Sequence, residues 1–169
     1  DSWIKAQLDN VLSVAIIIEL YRLGYQGTAI FSAEEEAGRS WKFIYDYYKR
    51  LDIYPKEIIV LDTSPFSTKE EVQDIDIILR NRDASALFNP KLAKKISQLC
   101  DTLGYRILKK DEYVINNNKI REKNGLPPLS LGRTELGRLI SESQGKIDGA
   151  TLQIPTTGYH TAEETTTHK

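Results

Sequence analysis

The sequence lacks methionine entirely and contains a single cysteine, Cys100, among 169 residues. One cysteine excludes an intramolecular disulfide and any zinc site built from several thiolates. It is also typical of proteins in a reducing compartment, which favours a cytoplasmic location. Without methionine there is no initiator residue, and the chain opens on Asp1-Ser2-Trp3. We therefore expect it to be a piece of a longer polypeptide.

Long apolar runs and an excess of charge of one sign are also missing. No stretch approaches the roughly 20 apolar residues of a membrane-spanning helix, and no signal peptide is visible. The 23 basic and 24 acidic residues give a net charge of −1. Such a balance gives no electrostatic reason to expect nucleic acid or an anionic membrane as a partner. With 40% hydrophobic residues, the chain is long enough to bury one proper core.

Apolar periodicity predicts alternating helices and strands. The predicted helices cover residues 9–23, 40–51 and 89–103, with another beginning near Thr134. The predicted strands cover residues 28–32, 57–62, 76–79, 105–108 and 149–154, the last stopped by Pro155. The first helix is apolar nearly all round and is expected to be buried. Residues 110–130 are polar and are predicted to be mostly loop, and the C-terminal tail is expected to be helix-like.

This alternation predicts an α/β fold with three layers, in which helices cover both faces of a mostly parallel mixed sheet. In open sheets of this class, ligand sites lie just beyond the carboxyl ends of the strands. Functional residues are therefore sought where the predicted strands end.

Three consecutive carboxylates, Glu34 to Glu36, follow the first predicted strand and precede a helix. Crowded carboxylates are tolerated when a cation neutralises them or when one carboxyl has a raised pKa. We interpret the stretch as half of a metal-hydrolase site. The alternative is a solvated helix start, because acidic residues favour helix N-termini.

Other candidate ligands occupy corresponding places along the chain. Asp62 ends a predicted strand, His160 follows the last one, and Asp9 stands at the start of the first helix. A carboxylate-rich set with one imidazole suits a hydrolytic pair of zinc ions better than a structural zinc site. Simpler interpretations remain for each residue: Asp9 as a helix cap, Asp62 as a turn residue, and His160 as a structural histidine.

Four motifs in order carry a resemblance over nearly the whole chain. They are Leu8-Asp9-Asn10, Glu35-Glu36-Ala37-Gly38, Leu61-Asp62, and Ile154-Pro155 followed by Tyr159-His160 and Glu164. Together they resemble co-catalytic zinc aminopeptidases, above all the glutamyl and tetrahedral (TET-type) aminopeptidases, which are also described in places as endoglucanases. The resemblance covers the C-terminal part of their catalytic domain, residues 1–169 here.

The resemblance implies a role for each matching residue. Asp9 would bridge two divalent ions, zinc most naturally and cobalt as the substitute. Glu36, Asp62 and His160 would be the other metal ligands. Glu35 would be the general base that activates the bridging water. Peptide would be the substrate, with no nucleic acid or membrane as partner and a homo-oligomer as the full-length assembly.

The sequence also departs from the family pattern. The family needs one more histidine on a strand before the equivalent of Asp9, and none of the eight preceding residues is histidine. The inserted dimerisation domain belongs to the same missing part. Val11 replaces the usual arginine, and Glu135 stands in the segment that is normally Gly-Thr-Asp. We expect this piece alone to be inactive.

The predicted function is metal-dependent release of N-terminal residues from peptides. A non-catalytic structural or regulatory subunit is the alternative, which the missing histidine, Val11 and Glu135 favour. Carboxypeptidase or deacylase chemistry on the same fold is a third interpretation.

Overall fold

A computed structural model describes residues 2–168, and the observed elements alternate much as predicted. The helices are α1 (Val11–Arg22), α2 (Ser40–Leu51), α3 (Lys69–Gln73), α4 (Pro90–Leu103), α5 (Lys110–Lys123) and α6 (Glu135–Glu142). The strands are β1 (Ser2–Ala6), β2 (Ile58–Phe66), β3 (Ile77–Arg80), β4 (Ile107–Lys109), β5 (Gly149–Thr157) and β6 (Glu164–His168).

The six strands form one mixed sheet in the order β1-β6-β5-β3-β4, with β2 paired to β5. The longest ladder is parallel and joins β2 to β5 along both strands, with Asp62 opposite Gln153. β3 and β4 are also parallel. The other three pairs, β1 with β6, β3 with β5, and β5 with β6, are antiparallel. The α/β class with a mixed sheet is confirmed.

Helices cover both faces of the sheet at its centre. Ile78 and Leu79 are consecutive residues of β3 and are 0% and 1% exposed. Because successive side chains of a strand point to opposite faces, both faces must be covered there. The packing falls into three buried clusters: Ile44 with Leu139 and Ile147, Phe66 with Val72 and Ile78, and Phe88 with Leu136 and Ile140.

Two helices match their predictions closely because their local signals are strong. The aromatic stripe of residues 40–51 forms α2, which buries Ile44. In α4, the Asn89 side chain accepts hydrogen bonds from the backbone N–H groups of Lys91 and Leu92, Pro90 occupies the first turn, and Gly104 ends the helix with a φ of 76°. Capping residue, proline and terminal glycine are all readable from sequence.

The strand predicted over residues 28–32 is wrong: these residues belong to no strand. A strand requires a partner for its backbone hydrogen bonds, and no ladder joins this segment to another in residues 2–168. Ile30 and Phe31 remain 38% and 55% exposed.

The burial predicted for the first helix is also wrong. Within α1 only Ser13 is buried, and Val11 and Ile18 are more than half exposed. One side of α1 lies against β2, whereas apolar residues such as Ile16 and Leu20 stay exposed. The hydrophobicity of the sequence shows that α1 could bury its apolar residues, but their burial depends on which other elements pack against the helix.

Three polar stretches also differ from expectation. Residues 110–123 form α5 rather than loop, with Asp111 and Glu112 in the first turn and Arg121 and Lys123 in the last, a charge order that suits the helix dipole. The tail forms strand β6 rather than helix. β5 continues through Pro155 to Thr157.

Proline is tolerated in β5 because of its position. On the edge of β5 that faces β3 and β6, the ladders use residues 151–153 and then Thr157. Pro155 falls in the gap between them, so its missing N–H breaks no ladder bond on that edge.

No helix in the described part of the chain is long and apolar enough to cross a membrane.

We predict that Asn89→Ala lowers the free energy of unfolding by about 1–2 kcal/mol, since it removes the N-cap of α4. The side chain also donates a hydrogen bond to the carbonyl of Lys56. Chemical denaturation of the variant checks this. Asn124→Ala, at an exposed position after α5, is the control and should change stability little; equal midpoints for both variants would contradict the assigned cap.

Candidate metal centre

Asp9 lies in the loop between β1 and α1, and hydrogen bonds to a buried carboxylate fix its backbone. The N–H groups of Leu8 and Asp9 both donate to the Glu164 carboxylate, at 2.8 Å and 2.7 Å. Asn10 adds a second restraint, because its side chain donates to the carbonyl of Leu61 in β2. Asn10, not Asp9, is the N-terminal cap residue of α1, and its side chain makes no capping hydrogen bond. Asp9 is therefore not the helix cap.

Glu35 and Glu36 lie in a turn that precedes α2. The turn is closed by hydrogen bonds from Gly38 N–H to the carbonyl of Glu35 and from Arg39 N–H to the carbonyl of Glu34. Gly38 has a φ of 66°, and a Cβ atom there would lie 2.0 Å from the guanidinium of Arg138. The flexible end of Arg138 could move aside, but the positive φ would strain most other residues, so the motif's glycine has a conformational explanation.

Glu34, the first carboxylate of the run, pairs with a surface arginine. Its carboxylate pairs with Arg39 at 3.0 Å, and both side chains are substantially exposed. It is an ordinary surface ion pair.

His160 lies in the loop between β5 and β6, beyond the end of β5. It adopts a left-handed backbone conformation with a φ of 60°, and Thr161 tightens the loop by donating to the carbonyl of Gly158. The imidazole stacks on the ring of Tyr159 with centroids 3.7 Å apart. The loop therefore aims the imidazole at the acidic turn.

Asp9, Glu36 and His160 converge. Nε2 of His160 lies 3.6 Å from Asp9 Oδ2 and 3.3 Å from Glu36 Oε2, and one ligand atom from each residue lies within 4.8 Å of the other two. The Asp9 side chain is 8% exposed, whereas those of Glu36 and His160 are more than half exposed. Two carboxylates and one imidazole at this spacing fit a divalent metal ion such as zinc.

Asp62, the fourth predicted ligand, lies nearby without joining this group of three. It sits within β2, which continues to Phe66, so it does not end its strand as predicted. Its Oδ1 accepts from Thr63 N–H and its Oδ2 from the Gln153 side chain. A carboxylate has about four acceptor sites, so these bonds leave each oxygen able to accept again.

Burial and neighbouring charges raise the pKa values of Asp9 and Glu35. Burial raises the pKa of Asp9 from 3.8 to about 6, assisted by the charges of Asp62, Glu36 and Glu164 and by a hydrogen bond with Glu36. Loss of surrounding water raises the pKa of Glu35 from 4.5 to about 7, with further increases from Asp62, Glu36, Glu135 and Asp9. Two neighbouring acids that resist ionisation are stabilised by either protons or a cation.

Asp62 and Tyr159 respond to the same surroundings. Burial raises the pKa of Asp62, although its hydrogen bonds and Arg80 oppose the increase. Burial and the charges of Asp9, Glu36, Asp62 and Glu35 raise the pKa of the Tyr159 hydroxyl. Tyr159 therefore stays a neutral hydroxyl beside the acids.

Sequence reasoning missed the residues that support these side chains from behind. Gln153 donates to Asp62 and to the carbonyl of Thr63, and accepts from the buried guanidinium of Arg80. Arg80 also donates to the carbonyl of Leu131. Glu164 belongs to the fourth motif, but the resemblance assigns it no role. A polar residue in a predicted strand, such as Gln153, was the available signal.

No family model and no curated protein matches the chain by sequence. Solved structures do match. The TET1 peptidase of Pyrococcus horikoshii, described as assembling into a tetrahedron or a large octahedral shell, is 20% identical with a TM-score of 0.64, covering 97% of this chain and 45% of that one.

Two further archaeal structures agree. An aminopeptidase from Desulfurococcus kamchatkensis is 14% identical with a TM-score of 0.65, covering 97% of this chain and 44% of that chain. A TET aminopeptidase from a marine sediment thaumarchaeon is 16% identical with a TM-score of 0.65, covering 96% and 43%. At such identities the similarity establishes a shared fold: this chain has the fold of TET-type aminopeptidases and spans less than half their length.

We predict that the metal-free protein loses stability as pH rises from about 4 to 7. The raised pKa values of Asp9 and Glu35 mean that the unfolded chain releases protons which the folded chain retains, so the folded state is favoured at low pH. The increase in the Asp9 pKa from 3.8 to about 6 corresponds to about 3 kcal/mol, while solvent screening reduces the contribution of the exposed Glu35.

Denaturation curves at several pH values in the presence of a chelator measure this slope. Asp9→Asn and Glu35→Gln should each flatten it, whereas Asp46→Asn, at an exposed site on α2, should not. Identical slopes in all four proteins would show that these acids are not the cause.

Proposed function

We propose that this chain carries the metal-binding part of a peptidase that releases N-terminal residues from peptides. The observation that carries the proposal is the convergence of Asp9, Glu36 and His160 from three separate loops, with Glu35 beside them. The shared fold of the TET-type aminopeptidases gives additional support. Fold alone would not suffice, because one fold hosts many functions.

In this proposal Asp9, Glu36 and His160 would hold divalent ions, since each of the three places a ligand atom close to the other two. Asp62, whose oxygens keep free acceptor capacity, completes the set for a second ion. Zinc suits this mixture of oxygen and nitrogen donors, and cobalt is the expected substitute. Bound ions of this kind polarise a scissile carbonyl and lower the pKa of water.

Glu35 is the proposed general base. A base works best when its pKa lies near the working pH, and the pKa of Glu35 is raised to about 7. The closed turn before α2 holds its backbone next to Glu36, so the proton acceptor and a metal ligand are adjacent in the same rigid unit. Glu35 would take the proton of the attacking water and later return it to the leaving amine.

A cytoplasmic location, a peptide substrate and a homo-oligomeric assembly belong to the same proposal. The oligomer is suggested by the shells described for the Pyrococcus horikoshii peptidase. Activity is proposed for the longest polypeptide that the gene encodes, since this chain spans less than half of its structural neighbours.

A non-catalytic structural or regulatory subunit is the second candidate. One observation favours it: within residues 2–168, the group of close ligand atoms comprises three residues, and both oxygens of Asp62 are already hydrogen-bonded. Such a site could survive as scaffold without holding two ions.

Metal content decides between the two candidates. The longest encoded polypeptide is purified mildly, analysed for metals, and then supplied with zinc or cobalt after chelation. Nearly two ions per chain, lost together with hydrolysis of free-amine peptides, support the peptidase. No bound metal and no uptake support the subunit. Hydrolysis of acyl-amino acids instead of free-amine peptides would indicate deacylase chemistry.

We predict that Glu35→Gln keeps metal binding and removes most peptidase activity, by about two to four orders of magnitude, because only the proton acceptor is lost. Steady-state hydrolysis of a short peptide amide, with metal content measured in parallel, checks this. Glu34→Gln is the matched control, since it removes the adjacent charge from a surface ion pair and should leave turnover unchanged. Normal turnover in Glu35→Gln would exclude Glu35 as the base.

We predict that His160→Ala weakens metal binding, because the only nitrogen donor of the converging group is removed. Titration of the chelator-treated chain with cobalt checks the affinity. Glu163→Gln serves as the control in the same loop, since Glu163 pairs with Lys5 at the surface. Equal cobalt affinity in His160→Ala and wild type would show that His160 is not a ligand.

A further inference from the structure

Glu164 is a fully buried carboxylate, with 0% of the residue exposed. It lies at the start of β6, opposite Ala6, in the last pair of the antiparallel ladder with β1. Burying a carboxylate is costly unless hydrogen bonds compensate. The position of Glu164 therefore needs an explanation from what its side chain contacts.

Beyond the end of β1, where the ladder stops, the Glu164 side chain accepts hydrogen bonds from the backbone of the following loop. Its Oε2 accepts hydrogen bonds from the backbone N–H groups of Leu8 and Asp9. Leu8 is itself 4% exposed, so this part of the loop is fixed by packing and by two hydrogen bonds to one buried acceptor oxygen.

The Asp9 carboxylate lies against His160 and Glu36, and the residues on either side of it are anchored. Before Asp9, the N–H of Leu8 donates to Glu164, as does the N–H of Asp9 itself. After Asp9, the side chain of Asn10 donates to the carbonyl of Leu61 in β2. The backbone at Asp9 is thus restrained on both sides, which limits the directions that its side chain can take.

We propose that Glu164 is a positioning residue: it fixes the backbone of Leu8 and Asp9 so that the Asp9 carboxylate faces Glu36 and His160. The inference rests on the proposed function of Asp9 as a metal ligand. Glu164 itself touches neither metal nor substrate. Its effect on metal binding is indirect and depends on where its acceptor oxygen lies.

Two conservative variants separate acceptor position from charge. Glu164→Gln loses the charge but keeps an oxygen at the distance of Oε2, so both backbone N–H groups retain an acceptor. Glu164→Asp keeps the charge, but its carboxylate is one methylene shorter and withdraws from Leu8 and Asp9. The positioning role predicts that Gln preserves the site and Asp damages it.

The test titrates the chelator-treated chain with cobalt and records the visible absorption of the bound ion, which reports ligand geometry. We expect Glu164→Asp to bind cobalt about 10- to 100-fold more weakly with an altered spectrum. Glu164→Gln should stay within a few-fold of wild type with the same spectrum. Loss in both variants, or in Gln alone, would overturn the proposal, as would wild-type binding in Asp.

A control separates positioning from general loss of stability. Thr166→Val lies on the same strand, is equally buried, and removes the hydrogen bond from Thr166 to the carbonyl of Pro155. It should lower stability without changing cobalt affinity or spectrum. If Glu164→Asp does not fold, the Gln variant decides alone: a tenfold loss of affinity overturns the proposal, and retention supports it.

The cobalt titration distinguishes failure of the Glu164 proposal from failure of the proposed metal site. If wild-type protein binds no cobalt, the metal-site proposal fails before any variant is compared. If wild type binds cobalt and Glu164→Asp binds it equally well, the metal site stands and only the role of Glu164 is refuted.

Discussion

The burial and crowding of carboxylates is the constraint on which the arrangement around the candidate site depends. Burial, with added repulsion from Glu36 and other neighbouring acids, raises the pKa values of Asp9, Glu35 and Asp62, so a relaxed chain would separate these groups. The fold prevents this by fixing the backbone beneath each acid rather than by pairing every acid with a base. This is the behaviour expected of a site that sacrifices stability to concentrate charge.

Each restraint is of a different kind. The ladder between β2 and β5 holds Asp62 opposite Gln153, and Gln153 relays the contact to the buried Arg80. The turn closed at Gly38 holds Glu35 and Glu36. Because a strand, a turn and a loop supply the acids independently, no single segment could have brought them together. Their convergence is a property of the tertiary structure.

This origin explains how much was predictable from sequence. α2 and α4 were predicted because periodicity and caps are local. The strand over residues 28–32 was predicted wrongly because a strand depends on a partner, and α5 was missed because its polar composition hides its helical charge order. Among site residues, the ligand candidates were found from ordered motifs. Gln153 and Glu164 received no role because their partners lie about 90 and 155 residues away.

The comparison with TET-type aminopeptidases supplies the fold, and the geometry of the site supplies the argument about chemistry. Identities of 14–20% leave the fold as the shared property, and a fold does not fix chemistry. The evidence for metal-assisted hydrolysis is instead that possible ligand atoms of Asp9, Glu36 and His160 lie within 4.8 Å of one another. Glu35, next to Glu36 in the chain, has a pKa raised to about 7. A surface acidic patch would need neither an imidazole among its acids nor a buried carboxylate, Glu164, that anchors the backbone beneath one of them. A cation site has a use for both, since the imidazole is a further donor and the anchored backbone fixes the position of Asp9.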